Sequence, residues 1–287
     1  MPPAHAVQPI YVRLLAELLE RRGLRFALIC EEAEVPPDLA FDAASIPFEQ
    51  TRRLILAALR QSGNPRLGLE YGATVQAHMH GILGTAALAS GTLGAALGTI
   101  ARYAALRYSA TCLHMQRAAD RTRLALQPAV NAGGAADFID DAWLVILDRL
   151  IHLLAGTRPS SLQFELPQSR RGDSAQYASV LGDRLRFGAL PYSTLTLSNE
   201  DIDRACMGAD AHAHALATGA LERDLGVSQA ALRPRVSALL GAAQAGWPSA
   251  QELARQLHMS PRTLYRRLAE EATSFRELID EQRREQA

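Results

Sequence analysis

The sequence contains no lysine. All 30 of its basic residues are arginine, and 30 acidic residues balance them to a formal net charge of zero at pH 7. A protein that binds nucleic acid regardless of sequence needs a general excess of positive charge, so this balance argues against that class. A local basic face, of the kind that a sequence-specific reader uses, stays open. Because every basic position is arginine, each one is a weaker indication of a carboxylate or phosphate contact than usual.

Cysteine is also scarce. The chain has three cysteines, Cys30, Cys112 and Cys206, which are far apart and form no CxxC motif. This pattern excludes a disulfide framework and a paired-thiol metal motif, and it is typical of a reducing compartment.

No hydrophobic run is long enough to cross a bilayer. The nearest candidate is the alanine-rich stretch 84–105, which several glycines and Arg102 interrupt. The first nine residues lack the charged and apolar regions of a signal peptide. We therefore expect a cytoplasmic protein that does not contact the membrane.

The chain does contain enough apolar material for large cores, because 48% of its 287 residues are hydrophobic, and its length favours two domains. Segments with helical spacing of apolar residues are 10–19, 48–59, 93–104 and 138–154. Segments with alternating apolar residues are 111–117, 123–127, 162–166 and 195–197, and the first two, on either side of Asp120 and Arg121, predict a β-hairpin. The mixture predicts an α+β fold, in which a helix-rich N-terminal domain carries an antiparallel sheet. We expect this domain to span 1–222.

An all-α segment follows. We expect 223–245 to form a linker and the helix that leads into the next domain, and 246–287 to form that domain. Within it, Ser249 and Glu252 form a capping box that starts a helix, and 258–260 make a turn. Ser260 and Pro261 are then suited to the cap and the first position of a second helix.

The second helix has two different faces. Leu264 and Leu268 are spaced to pack on the first helix, while the other side presents Arg262, Tyr265 and Arg266. Two short helices with a three-residue turn predict a helix-turn-helix, in which arginine can fork to guanine or hold a phosphate. An ordinary helical hairpin with a solvated arginine face stays the alternative on spacing alone.

The residues 249–254 and 257–268 resemble the first helix-turn-helix of AraC/XylS transcription regulators. The N-terminal part resembles the arabinose-binding-like sensors of the same family, in the segments 63–69, 80–84, 92–97, 164–167 and 186–189. The resemblance covers almost the whole chain. It implies a bacterial regulator that binds promoter DNA and a small-molecule effector, that forms a homodimer and meets RNA polymerase, and that has no catalytic residues or cofactor. It also implies DNA contacts from Arg262, Thr263, Tyr265, Arg266 and Arg267.

Two departures from the family pattern matter. Ala95 stands where the family usually has glutamate, so Thr92 is expected to cap its helix without a reciprocal carboxylate. The family has two helix-turn-helix units, whereas this sequence ends at Ala287, within the expected connecting helix. Because 247–287 holds seven arginines and seven acidic residues, we expect this chain to bind DNA weakly.

Effector pockets are mostly apolar, with a few well-placed polar groups. Residues of that kind cluster around the helix that follows Thr92, its hairpin and the 138–154 helix. The candidates are Arg102, Tyr103, Arg107, Tyr108, His114 and Trp143. An arginine there suits an effector with a carboxylate. The alternative for the two tyrosines is a place at the edge of the core.

Other classes of function find less support. The sequence has no GxSxG, HExxH, GxxxxGK[ST] or strand-linked GxGxxG motif. Asp137, Asp140 and Asp141 are grouped like metal ligands, but carboxylates are also favoured where a helix starts, and we expect no metal there. His78 and His80 leave open a sensor that binds a metal or haem. A sensor or interaction protein without a DNA function is the other alternative.

Overall fold

The computed structural model describes residues 5–230, 232–241, 248–257, 261–270 and 273–286. The chain divides into two compact units, one of which is His5–Leu221, while the other contains Glu222–Ala287. Among the described residues, no helix has the length and apolar character needed to cross a membrane.

The larger unit begins with a layer of helices around its own hydrophobic core. These helices are α1 (Pro9–Arg21), α2 (Phe26–Ala33), α3 (Leu39–Asp42), α4 (Phe48–Ser62) and α5 (Leu67–Thr74). Two short strands, β1 (Ala6–Val7) and β2 (Ile46–Pro47), pair antiparallel beside them. Helix α4 ends at Gly63, which caps it in the left-handed region at φ 59°.

A second core lies between helices and a five-stranded sheet. Its helices are α6 (Ile82–Leu88), α7 (Leu93–Tyr103), α8 (Ala136–Ala155), α9 (Ser174–Leu181) and α10 (Asn199–Ile202). A further helix, α11 (Ala211–Ala230), follows α10 along the chain. Its strands are β3 (Thr111–Arg117), β4 (Arg121–Pro128), β5 (Gln163–Pro167), β6 (Leu185–Gly188) and β7 (Thr194–Ser198). The mixture confirms the α+β prediction.

The strand order of this sheet is β3-β4-β7-β5-β6. The predicted β3–β4 hairpin is confirmed, with Thr111 opposite Pro128 and Arg117 opposite Thr122. Three of the four pairings are antiparallel, whereas β5 and β6 run parallel and are joined by α9. A parallel pair needs such a crossover, because a tight turn cannot return the chain to the same direction.

Helix α8 belongs to both cores of the larger unit. Near its start, Phe138 and Ala142 pack in the first core, and further along Leu147 and Ile151 pack in the second. Helix α7 packs on the sheet and is capped as predicted, because the Thr92 hydroxyl accepts a hydrogen bond from the Ala95 amide at 3.2 Å. These helices surround the cavity described below.

The smaller unit is helical. Its helices are α12 (Leu232–Gly241), α13 (Ala250–Gln256), α14 (Pro261–Glu270) and α15 (Phe275–Gln286). The Ser249–Glu252 capping box is confirmed by two hydrogen bonds. The Ser249 amide donates to the Glu252 carboxylate at 2.8 Å, and the Glu252 amide donates to the Ser249 hydroxyl at 3.2 Å. Ser274 and Glu277 form a second capping box, at the start of α15. The predicted turn 258–260, with its cap Ser260, lies outside the described residues.

Candidate functional site

A cavity of about 520 Å³ lies among α1, α6, α7 and α8 of the larger unit. Its walls are mainly apolar, with Leu83 from α6, Ile100 from α7 and Leu150 from α8. Along α8 the lining runs from Trp143 to Gly156, which is about 20 Å at the helical rise of 1.5 Å per residue. The cavity is therefore long enough for an elongated small molecule.

Besides Tyr11 and Trp143, the polar part of the described lining consists of one glutamine, three histidines and three arginines. These side chains are Gln76, His78, His80, Arg107, Arg149, His152 and Arg158. The described lining residues include no carboxylate. Arg158 is paired outside the lining, since its guanidinium lies 3.1 Å from the Asp148 carboxylate. Arg149 and His152 are exposed, so the basic groups near the end of α8 lie at a mouth that is open to solvent. An anion fits such a lining better than a cation does.

Arg107 is placed at the inner end of the cavity by the short 3₁₀ turn that follows α7. One guanidinium nitrogen donates to the Met79 carbonyl at the long distance of 3.4 Å. Its Nε is buried and has no hydrogen-bond partner in the part of the chain that the structure describes. Gly81, which has φ +61°, faces the same guanidinium. Arg107 therefore has donor capacity that the protein itself does not use.

His80 lies next to Arg107 and is held by Tyr11, whose hydroxyl is 2.7 Å from the His80 Nδ1. Burial lowers the pKa of His80 to about 4, and the charges of Arg107 and His78 act in the same direction. Burial also raises the pKa of Tyr11, although Arg107 opposes this. The Tyr11 hydroxyl therefore keeps its proton and the imidazole is neutral, so their hydrogen bond joins two uncharged groups. The pair forms an uncharged wall beside the arginine.

Behind this wall is a smaller pocket of about 50 Å³, which we call the inner pocket. It shares Tyr11, His80, Trp143 and Ile146 with the cavity. Its remaining lining residues are Val12, Leu15, Thr51, Ile55, Tyr71, Tyr108, Phe138, Ile139 and Ala142. The two spaces therefore follow one another along α8.

The structure brings three of the predicted effector residues together. Arg107 and Trp143 line the cavity, and Tyr108 lines the inner pocket. Tyr103 is buried, and its ring centroid lies 5.4 Å from the guanidinium carbon of Arg102. These two residues and His114, which is exposed on β3, are in neither lining.

The sequence prediction missed other members of the lining. Arg149 lies three residues after Ile146, and His152 and Leu153 lie three and four residues after Arg149, so extending that helical stripe would have identified them. Tyr11 carries no such signal, because it reaches the cavity from α1, which is far away in sequence.

The carboxylates at the start of α8 bind arginine. Arg66 lies 3.1 Å from Asp141 and 2.9 Å from Asp137. Arg170 contacts both of these and also Asp140, at 2.8–3.2 Å. Burial raises the pKa of Asp141 to about 7, although both arginines oppose this. Within the described ranges, no group of three or more His, Cys, Asp or Glu side chains is arranged to hold a metal. The cluster links the start of α8 to two loops.

In the smaller unit, α14 has one buried and one exposed side. Leu264 and Leu268 are fully buried against α13, as predicted, whereas 52% of Tyr265 is exposed and Arg266 is also exposed. The predicted DNA contacts Arg262, Thr263 and Arg267 lie on the same helix, but their side chains are outside those that the structure describes. The unit therefore presents a helix with a solvent-facing side that includes an aromatic and a basic group.

Residues 23–206 match a family described as the N-terminal arabinose-binding domain of AraC transcription regulators. The match covers α6, α7, α8 and the whole five-stranded sheet, whereas α1, which contributes Tyr11 to the cavity, lies before it.

Curated relatives share this similarity over longer stretches. The ornithine utilization regulator of Pseudomonas aeruginosa is 26% identical over 284 residues, which are 98% of this chain and 84% of that protein. The HTH-type transcriptional regulator VirS of Mycobacterium tuberculosis is 31% identical over 218 residues, and the match covers 72% of this chain and 62% of VirS.

A solved structure is similar as well. The transcriptional regulator CdpR of Pseudomonas aeruginosa aligns with a TM-score of 0.58 and 23% identity, over 96% of this chain and 84% of CdpR. At that identity the likeness applies to the fold.

Proposed function

The chain belongs to the AraC transcription regulators that carry an N-terminal arabinose-binding domain, and on this premise we propose that its effector is an amphipathic carboxylic acid bound in the cavity along α8. The protein is a ligand-responsive transcription regulator, which joins that domain to a helix-turn-helix. Its relatives are regulators of transcription.

The proposal depends mainly on the unused hydrogen-bond donors of Arg107. Its Nε has no partner among the described residues, and the described lining of the cavity contains no carboxylate. A partly buried guanidinium gains most from an anion that accepts two of its N–H groups. The leucines and Ile100 of the walls suit a hydrocarbon body. A molecule with two ammonium groups fits the cavity less well, because the described lining offers it no carboxylate.

We further propose that sensing belongs to 1–222 and DNA binding to 246–287, with 223–245 between them. The exposed side of α14 would contact promoter DNA through Arg262, Thr263, Tyr265, Arg266 and Arg267. A promoter reader works in the cytoplasm, where bacterial DNA lies. We expect a homodimer, since two copies can read two half-sites, and we expect contact with RNA polymerase at the promoter.

Calorimetric titration of the chain with straight-chain acids from butanoate to dodecanoate tests the effector class. We expect at least one acid to bind, and Arg107→Gln to weaken that acid about 10- to 100-fold, because a charge-assisted hydrogen bond contributes about 1.5–3 kcal/mol. Arg102→Gln is the matched control, since Arg102 is exposed and lies outside the lining. No binding by any acid, or equal losses in the two variants, would contradict the proposal.

A further inference from the structure

The inner pocket has room for part of a ligand. A buried water needs about 10–15 Å³ of such space, and the inner pocket holds about 50 Å³. That volume corresponds to a group of about two to four heavy atoms. Because Tyr11, His80, Trp143 and Ile146 border both spaces, a molecule in the cavity needs only a short side branch to reach the inner pocket.

Two residues that line the inner pocket, Thr51 and Tyr108, carry hydroxyl groups that the described part of the protein does not use. The Thr51 Oγ1 and the Tyr108 hydroxyl are buried, and neither has a hydrogen-bond partner within the described ranges. Thr51 as a residue is only 4% exposed. A buried hydroxyl left without a partner costs about 1–3 kcal/mol. The two groups therefore favour an occupant that can hydrogen bond.

Other buried hydroxyl groups of the larger unit do have hydrogen-bond partners. Tyr71 lines the same pocket, and its hydroxyl donates to the Tyr11 carbonyl at 2.9 Å. Thr99 is a buried helical threonine like Thr51, but its hydroxyl donates to the Ala95 carbonyl at 2.9 Å, four residues back. Helix geometry therefore offers a threonine an internal partner, which Thr51 does not take.

The remaining walls limit the chemistry of the occupant. They are aliphatic and aromatic, and the only titratable base among them is His80, which is neutral because its pKa is about 4. An ammonium group would find no carboxylate in the described lining, and it would lie close to Arg107. A carboxylate would find no cation inside the inner pocket. A hydroxyl or a carbonyl is satisfied by Thr51 and Tyr108 without any charge.

We propose that the inner pocket is a second subsite for the same effector, and that it takes a hydroxyl or carbonyl carried close to the carboxylate. The effector is then a hydroxy or oxo acid. Its carboxylate binds Arg107, its substituent passes Tyr11 and His80 to reach Thr51 and Tyr108, and its hydrocarbon body lies along α8. This inference rests on the carboxylic-acid effector proposed above.

Matched pairs of acids test the inner subsite. Calorimetry on the full chain would compare octanoate with the enantiomers of 2-hydroxyoctanoate and 3-hydroxyoctanoate. We expect at least one hydroxy acid to bind about 5- to 10-fold more tightly than octanoate, the effect of one neutral hydrogen bond in a buried place. Thr51→Val and Tyr108→Phe should each remove most of this preference. Thr99→Val is the control and should keep it, because Thr99 lines neither space.

The outcomes separate the two proposals. If octanoate and every hydroxy acid bind the parent equally, the inner subsite is overturned and the carboxylic-acid effector stands. A preference that survives in both Thr51→Val and Tyr108→Phe also overturns the subsite, because the hydroxyl is then bound elsewhere. If no acid of either kind binds, both proposals are contradicted. Thermal melts check the folding of each variant, and either variant alone decides the question.

Discussion

At the scale of single residues, His80 joins folding to the binding site. It borders both the cavity and the inner pocket, and it forms a hydrogen bond with the Tyr11 hydroxyl. Burial holds its pKa at about 4, whereas histidine in an unfolded chain has a pKa of about 6.5. The folded state therefore resists protonation of a residue in the lining of both spaces.

The stability of the protein should depend on pH through this residue. Between about pH 4 and 6.5 the unfolded chain binds more protons at His80, so acid favours unfolding, by up to about 2 kcal/mol at pH 5. Urea denaturation of the parent and His80→Gln at pH 7.5 and pH 5 measures this. We expect the parent to lose more stability than the variant.

Asp141 affects the pH dependence of stability in the opposite direction to His80. Burial raises its pKa to about 7, so its stabilising contribution is present in acid and is lost as the pH rises through 7. This opposes His80 but is common to both proteins, so it cancels in their difference. If the free energy of unfolding changes with pH equally in the parent and in His80→Gln, protonation of His80 does not destabilise the folded state.

At the scale of elements, the position of α8 depends on how closely α5 approaches it. A Cβ added to Gly68 of α5 would lie 2.4 Å from the Phe138 carbonyl oxygen, and one added to Gly72 would lie 2.7 Å from the Ala142 carbonyl oxygen. These contacts are with backbone, which cannot rotate away as a side chain does. The two glycines therefore allow the crossing that positions the α8 wall of the cavity and the inner pocket.

Substitution at this crossing should destabilise the fold. We expect Gly68→Ala to lower the free energy of unfolding by about 1–3 kcal/mol, because the new methyl group forces the helices apart. Gly98→Ala in α7 is the control: a Cβ there meets nothing within 4 Å, and alanine should raise stability by about 0.5–1 kcal/mol. Denaturant melts of both variants measure the difference, and changes of the same sign would contradict the close approach.

At the scale of the whole molecule, the two compact units have separate hydrophobic cores. The cavity lies within His5–Leu221, whereas the exposed side of α14 lies in the helical unit. Substitutions on α14 should therefore change DNA binding and leave the intrinsic affinity for the acid nearly unchanged.

Arg266→Ala tests this separation. With DNA fragments that the protein selects from a random-sequence pool, we expect its affinity to fall about 5- to 100-fold, the loss of about 1–3 kcal/mol for a base contact or somewhat less for a phosphate. Fluorescence anisotropy at two salt concentrations measures it. Arg25→Ala is the control, because Arg25 is an exposed arginine in the other unit. Equal effects of the two substitutions would remove α14 from the DNA contact.

Much of the local structure could be predicted from the sequence. Three features depend on residues within about 20 positions of one another, so local sequence patterns predict them. They are the Ser249–Glu252 capping box, the Thr92 cap and the β3–β4 hairpin. The parallel pairing of β5 and β6 was not predicted, because alternation identifies a strand without its direction.

The sequence by itself determined the class of the protein. Periodicity, caps and turn residues act locally and indicated an α+β domain followed by a helical segment, and the resemblance to AraC/XylS regulators indicated a sensor and a helix-turn-helix. Only the tertiary structure decided which of the candidate residues share a site. Arg107 lines the cavity together with Tyr11 and His80, and Tyr108 lines the inner pocket together with Thr51, whereas Arg102 is exposed although it is only five residues from Arg107. Such groupings depend on how helices distant in sequence pack against one another, and that packing is a property of the whole fold.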